Sequence, residues 1–253
     1  LKEIEVAEFN DTLLHSARIL IENKCLSTED ILTLYESSRI TVGQVCKAAA
    51  LRPKLSSGVR VMESITANRK KQSVPPVPNK KDRESVFGKE FDRLKHPHHM
   101  AKLINYTLSD IMIRYKNTLV FGEDVAQKGG VYHVTANLYE QFGVRRVFNS
   151  LLDETSIIGS AIGFAHNGFI PIPEIQFLAY FHNAEDQLRG EAATLPFFSD
   201  GQFTNPMVLR IPGLAYQKGF GGHFHNDNSL AVFRDLPGVV LACPSNGSDA
   251  ARM

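Results

Sequence analysis

The chain has 253 residues, 43% of them hydrophobic and 22% charged, a balance that excludes a disordered or fibrous protein. Lys and Arg total 28 against 27 Asp and Glu, a formal net charge of +1, which excludes a general nucleic-acid binder with its basic surface. The length suits one large domain, or one domain with a helical appendage. Cys25, Cys46 and Cys243 are far apart and offer neither a disulfide framework nor paired zinc-ligand spacing, which predicts a reducing, cytoplasmic setting. No apolar run approaches the ~20 residues of a membrane helix, and no signal-peptide pattern opens the chain. Leu1 at the start and the opening of a helix at 248–253 lead to the expectation that the sequence is a segment of a longer polypeptide.

Residues 1–63 read as short helices. Asn10-Asp11 caps one that carries Leu13, Leu14, Ala17, Leu20 and Ile21 on a single face, and Ser27 with Asp30 caps a second. Thr41 and Gln44 are placed to cap a third. From 64 to 99 the character changes, because Pro75, Pro76, Pro78 and paired lysines oppose both helix and burial, so this stretch reads as a linker. His96, His98 and His99 stand at its end without a carboxylate or cysteine to complete a metal site, and they read as solvated residues.

From 100 onward strands and helices alternate. Met100–Lys116 reads as an amphipathic helix and Thr118–Phe121 as a strand buried on both faces. Val147-Phe148, Ile172–Phe177, Met207–Ile211 and Val239–Ala242 read as further strands. Between them, Ser156–His166, Asn183–Thr194 and Leu230–Arg234 read as helices. The alternation predicts an α/β fold, an open and mostly parallel sheet with helices on both faces. Such sheets bind ligands outside the carboxyl ends of their strands, so the chemistry is sought in the loops there.

Those loops hold Glu123 and Asp124, Asp153 and Glu154, Tyr180, and a glycine-rich stretch with His223, His225 and Asp227. Glu154 opens a helix spaced by Gly159 and Gly163. It could be an ordinary first-turn acid favoured by the helix dipole, or a functional carboxylate beside a close-approach surface. Tyr180 could be a core aromatic with its hydroxyl at the rim, or a stacking platform for a flat heterocycle. His225 has the titration range of a general acid or base. No dinucleotide fingerprint, P-loop or nucleophile elbow is present.

Four stretches, taken in order, resemble one family: FGEDVAQKGGVYHVTANLYEQFG (121–143), RVFNSLLDETSIIGSAIGFAHNG (146–168), PEIQFLAYFHNAEDQL (173–188) and GGHFHNDNSLAVFRDLPGVVLACPSN (221–246). They resemble the beta-type half of the thiamine-diphosphate-dependent 2-oxo acid dehydrogenases, over the pyrimidine-binding domain shared with transketolases. The helical start more weakly resembles the end of the alpha-type half. The implied organisation is alpha-type end at 1–63, linker at 64–99 and pyrimidine-binding domain at 100–253, as in a fused enzyme.

The resemblance implies a role for each matching residue. Glu154 matches the glutamate that hydrogen-bonds N1′ of the cofactor's aminopyrimidine and favours its imino tautomer, whose nitrogen takes the thiazolium C2 proton. Tyr180 matches the aromatic stacked on that ring, His225 a histidine facing the substrate and the incoming lipoyl group, and Glu123 a glutamate of the acidic passage between paired sites. It further implies a 2-oxo acid substrate, the lipoyl domain of a dihydrolipoyl acyltransferase as acyl acceptor, and a homo-oligomer. The family's Gly-Asp-Gly motif, which holds diphosphate and Mg²⁺, does not occur here, so the chain is expected to form one wall of the site and no metal centre. Asn226-Asp227 stand where relatives often carry Ser-Gln, His223 adds a second imidazole, and Glu174–Phe177 resembles the branched-chain and acetoin-type branch more than the pyruvate branch. Two other readings stay open: a different transketolase-superfamily enzyme, and a non-catalytic assembly domain.

Overall fold

Side-chain caps punctuate the first residues. In the computed structural model, which describes residues 2–66, 77–214 and 221–253, Lys2–Phe9 forms α1, Thr12–Glu22 α2 and Thr28–Ala50 α3. Asp11 caps α2 by accepting from the amides of Leu13 and Leu14. Ser27 and Asp30 close a reciprocal capping box on α3. The expected third cap at Thr41 does not form. Its hydroxyl donates to the Ser37 carbonyl 2.8 Å away inside α3, and a threonine so bonded needs no chain break. None of these three helices buries a residue. They lie in a unit spanning Leu1–Ser56, and the rest of the chain, Ser57–Met253, forms a second unit.

The second unit contains α4 (Gly58–Glu63), α5 (Lys80–Phe87) and a 3₁₀ segment, Gly88–Lys95. The linker reading of 64–99 thus fails over 80–95. Phe87 is buried with Tyr106 and Ile113, and Phe91 and Leu94 pack on them. Arg83 pairs in fork geometry with Asp110 at 2.8 and 3.1 Å. The few apolar residues of this charged stretch all serve one contact surface, which composition averages away. Pro75 and Pro76 lie outside the described residues. His99 caps the next helix, α6 (Met100–Arg114), and the His98 ring meets Tyr106 edge-on.

Strand β1 (Thr118–Gly122) is central, and all five of its residues are buried. Strand β2 (Val147–Asn149) lies on one side and β3 (Ile170–Glu174) on the other, both parallel to β1. Alternation along β1 serves both faces. Leu119 and Phe121 pack with Ile157, Ile158 and Ala161, whereas Val120 packs with Leu108 and Met112 of α6. Between the strands lie α7 (Leu138–Phe142) and α8 (Glu154–His166). The expected α/β class, an open parallel sheet covered on both faces, is what forms.

After β3 come α9 (Leu178–Phe181), α10 (Leu195–Phe198), α11 (Ala231–Arg234) and α12 (Gly247–Arg252). The single helix expected over 183–194 is instead a 3₁₀ turn, His182–Ala184, then a π-helical stretch, Gln187–Ala192. Gly190 sits inside that stretch, where glycine weakens regular helix. Residues 207–211 run parallel beside β3 but form only a partial ladder. The amides of Val208 and Arg210 donate to Pro171 and Pro173, and Ile175 returns one bond to Arg210. Pro171 and Pro173 stand where β3 would donate toward this segment, and proline has no N–H to give. The expected strand at 239–242 pairs with nothing among the described residues, and Val240 and Leu241 are exposed.

Candidate active site

Parallel pairing brings the three strand ends to one level. Gly122 is in register with Asn149 on one side and Glu174 on the other. Close approach demands glycine there, since a Cβ on Gly122 would lie 2.5 Å from the Glu174 carbonyl oxygen. Beyond this line the loops are tied together. The Ala126 amide donates to Asn149 Oδ1 at 2.8 Å, and the Ser150 amide donates to the Gly122 carbonyl at 3.0 Å. Glu174, completely buried, pairs with Arg210 and accepts from the Val131 amide at 3.3 Å. One carboxylate therefore braces the β1 loop, β3 and residues 207–211.

Glu123 leaves β1 directly. Burial pushes its carboxyl above the usual range, and the charges of Asp124 and Glu154 push the same way against Lys128. Glu154 is the first residue of α8, behind Asp153, which caps the helix through the Ser156 amide. It is buried, at 8% exposure. Its Oε2 accepts from Asn183 Nδ2 at 3.2 Å, and its Oε1 accepts no hydrogen bond among the described residues. The glycines of α8, Gly159 and Gly163, face open space, where an added Cβ would meet nothing within 4 Å.

Tyr180 belongs to α9 and is half-buried against the α8 core cluster. Its hydroxyl lies 3.3 Å from His225 Nε2, and the His225 ring stands edge-on to Phe177 at 4.3 Å. His225 Nδ1 is 3.1 Å from the Gly221 carbonyl, in a turn where Gly221 has φ of 64°. Any Cβ on Gly221 would collide with the imidazole, so glycine is required. Asp227 accepts from both the amide and the hydroxyl of Ser229, which holds its carboxyl below the usual range, and it faces His182 at 3.6 Å. His223 stacks obliquely on Phe224 and joins none of these contacts.

Two contact pairs thus converge on the segment 178–184: Tyr180 with His225, and Asn183 with Glu154. Glu123 joins through its charge. Sequence reasoning missed Asn183, Glu174 and Arg210. Glu174 could have been found as the only acidic residue in an apolar strand, since such a residue is buried only with a partner. Among the described residues no group of three His, Cys, Asp or Glu side chains is placed to hold a metal ion.

Residues 96–253 match the family described as transketolase, pyrimidine binding domain. Over 152 residues the chain is 39% identical to a pyruvate dehydrogenase E1 component subunit beta of Acholeplasma laidlawii, covering 60% of this chain and 46% of that protein. It is 38% identical to a 3-methyl-2-oxobutanoate dehydrogenase subunit beta of Mycobacterium tuberculosis, over 60% of this chain and 43% of the relative. A 2-oxoisovalerate dehydrogenase subunit beta of Bacillus subtilis is 39% identical over 58% of this chain and 44% of its own length. The chain spans less than half the length of these curated relatives. With the family matched over most of its length and the parallel sheet in place, the chain belongs to the transketolase pyrimidine-binding domain family.

Proposed function

We propose that this chain supplies the pyrimidine-side wall of the active site of a thiamine-diphosphate-dependent 2-oxo acid dehydrogenase. The observation that carries the reading is the buried Glu154 at the start of α8, with one oxygen engaged by Asn183 and the other open to a donor. That donor set fits an aminopyrimidine, which needs a carboxyl group at a ring nitrogen and an aromatic beside it. When bound, thiamine diphosphate supplies the carbon nucleophile that attacks the 2-oxo carbonyl and accepts the electrons released on decarboxylation. Glu154 holds the proton at the ring nitrogen through Oε1, and its burial strengthens that interaction by excluding water. Tyr180 offers its ring to the pyrimidine. His225, oriented by Tyr180 and the Gly221 carbonyl, supplies a proton during reductive acylation, to the dithiolane sulfur released as the other sulfur of the lipoyl group takes the acyl group.

The rest of the reading follows from these roles. Diphosphate and Mg²⁺ sit on another part of the enzyme, the assembly is a homo-oligomer with the site at an interface, and the acceptor is the lipoyl domain of a dihydrolipoyl acyltransferase. The proposed organisation stays as the alpha-type end, the connecting stretch and the pyrimidine-binding domain, in a cytoplasmic enzyme. Branched-chain 2-oxo acids are favoured over pyruvate by the Glu174–Phe177 stretch. The test is turnover of the full-length polypeptide, with Mg²⁺ and thiamine diphosphate, on pyruvate, 3-methyl-2-oxobutanoate and 2-oxoglutarate with a lipoylated acceptor. Glu154→Gln should cost on the order of 10²-fold or more in kcat, the scale of a lost electrostatic contact to the reacting centre. Near-normal turnover by that variant would overturn the assignment.

A further inference from the structure

The segment after β3 packs along α8 through Leu178, Phe181 and Ala184, and at Asn183 it is hydrogen-bonded to the start of that helix. Asn183 is gripped from two sides by the first two residues of that helix: its carbonyl accepts from the Thr155 hydroxyl at 3.0 Å, and its side-chain Nδ2 donates to Glu154 Oε2 at 3.2 Å. Its neighbours are fixed in the core, because Phe181 and Ala184 are completely buried. The amide group can face a carboxylate only through its NH₂, since its own oxygen would be repelled, so the orientation is chemically determined. Among the described residues this is the hydrogen bond that Glu154 makes through its side chain. Burial, then the charges of Asp124 and Glu154, raise the nearby Glu123 carboxyl above its usual range.

We propose that Asn183 is a positioning residue for Glu154: it occupies Oε2, fixes the carboxylate rotamer, and thereby presents Oε1 to the pyrimidine ring nitrogen. This rests on the reading of Glu154 given above. It assigns two separate tasks to α9 and the turn after it, orienting His225 through Tyr180 and orienting Glu154 through Asn183. The contact joins residues 29 positions apart, so it exists only when α8 and the turn after β3 are docked.

The experiment uses the full-length polypeptide loaded with Mg²⁺ and thiamine diphosphate. Asn183→Leu keeps the volume and removes the donor, and Asn183→Asp places a second carboxylate against the first. A hydrogen bond to a charged group corresponds to a factor of about 10–100, so kcat should fall by that much in Asn183→Leu, with KM for the 2-oxo acid within about twofold. Asn183→Asp should fall further. Near-ultraviolet circular dichroism of the bound cofactor should show the imino tautomer diminished in both, a change that general loss of packing would not produce while far-ultraviolet spectra and melting temperature stay unaltered. Wild-type tautomer signal and kcat in Asn183→Leu would overturn the proposal. If that variant does not fold, Asn183→Asp decides by the same two readouts. Glu154→Gln is measured alongside: if it too keeps the signal and turnover, the reading of Glu154 fails, whereas if it loses both while the Asn183 variants do not, only the present inference fails.

Discussion

Helix α3 runs 23 residues without burying one, whereas α8, 13 residues long, buries five, Glu154 among them. Both are capped by a side chain at the N-terminus, Ser27 in one and Asp153 in the other, so local signals start both equally well. They differ in what their faces meet. Ile157, Ile158 and Ala161 of α8 close over Phe121 and Leu119, while Leu32, Leu34 and Tyr35 of α3 stand more than half exposed. A buried carboxylate can be held in place only by a packed helix like α8, because its partner must come from elsewhere in the chain. The contrast separates helices formed by caps and propensity from helices positioned by a core.

The largest effect that tests this contrast is in the sheet. Phe121→Ala should destabilise the protein by ~3–5 kcal/mol, as a fully buried aromatic does, and Leu32→Ala in α3 should stay within ~0.5 kcal/mol. Urea unfolding of both variants measures the difference, and equal losses would erase the distinction between the two regions. Next comes the brace at the strand ends. Glu174→Gln removes one partner of a buried ion pair and leaves Arg210 uncompensated at 15% exposure, a change expected to cost ~3–5 kcal/mol. A neutral result in the same unfolding assay would mean that Val131 and Arg210 are held by other contacts.

The smallest effect concerns pH. Folding raises the pKa of Glu123, so the native state binds the proton more tightly than the unfolded chain. Stability from this group is full below its unfolded pKa and declines as pH rises through the raised folded value. Glu123→Gln should therefore gain in melting temperature over wild type at pH 7.5 and lose that advantage near pH 4. A difference that does not change between the two pH values would show that burial and its neighbours do not raise the Glu123 carboxyl.

Much of the fold could be read from residue order. The apolar run at 118–121, the acid-capped helix carrying Ile157 and Ile158, and the Ser27–Asp30 box announce themselves because each is local. The reading fails where the outcome depends on a distant neighbour. Residues 207–211 have strand composition, but the prolines of β3 limit the ladder they can make. Residues 80–95 have linker composition, but Phe87, Phe91 and Leu94 find the outer face of α6. Tyr180 and His225 were legible as candidates, and their 3.3 Å approach was not. Asn183 looks like any polar residue opening a helix.

Residue order alone set the class of the domain, the succession of β1, β2, α8 and β3, and the residue types available at the strand ends, because periodicity, caps and glycines act over a few positions. The central place of β1, the neutralisation of Glu174 by Arg210 in the interior, and the meeting of Asn183 with Glu154 arise only once the chain is folded. These depend on parallel strands laid side by side from separate stretches of chain, where burial makes an unpaired charge costly and so selects its partner.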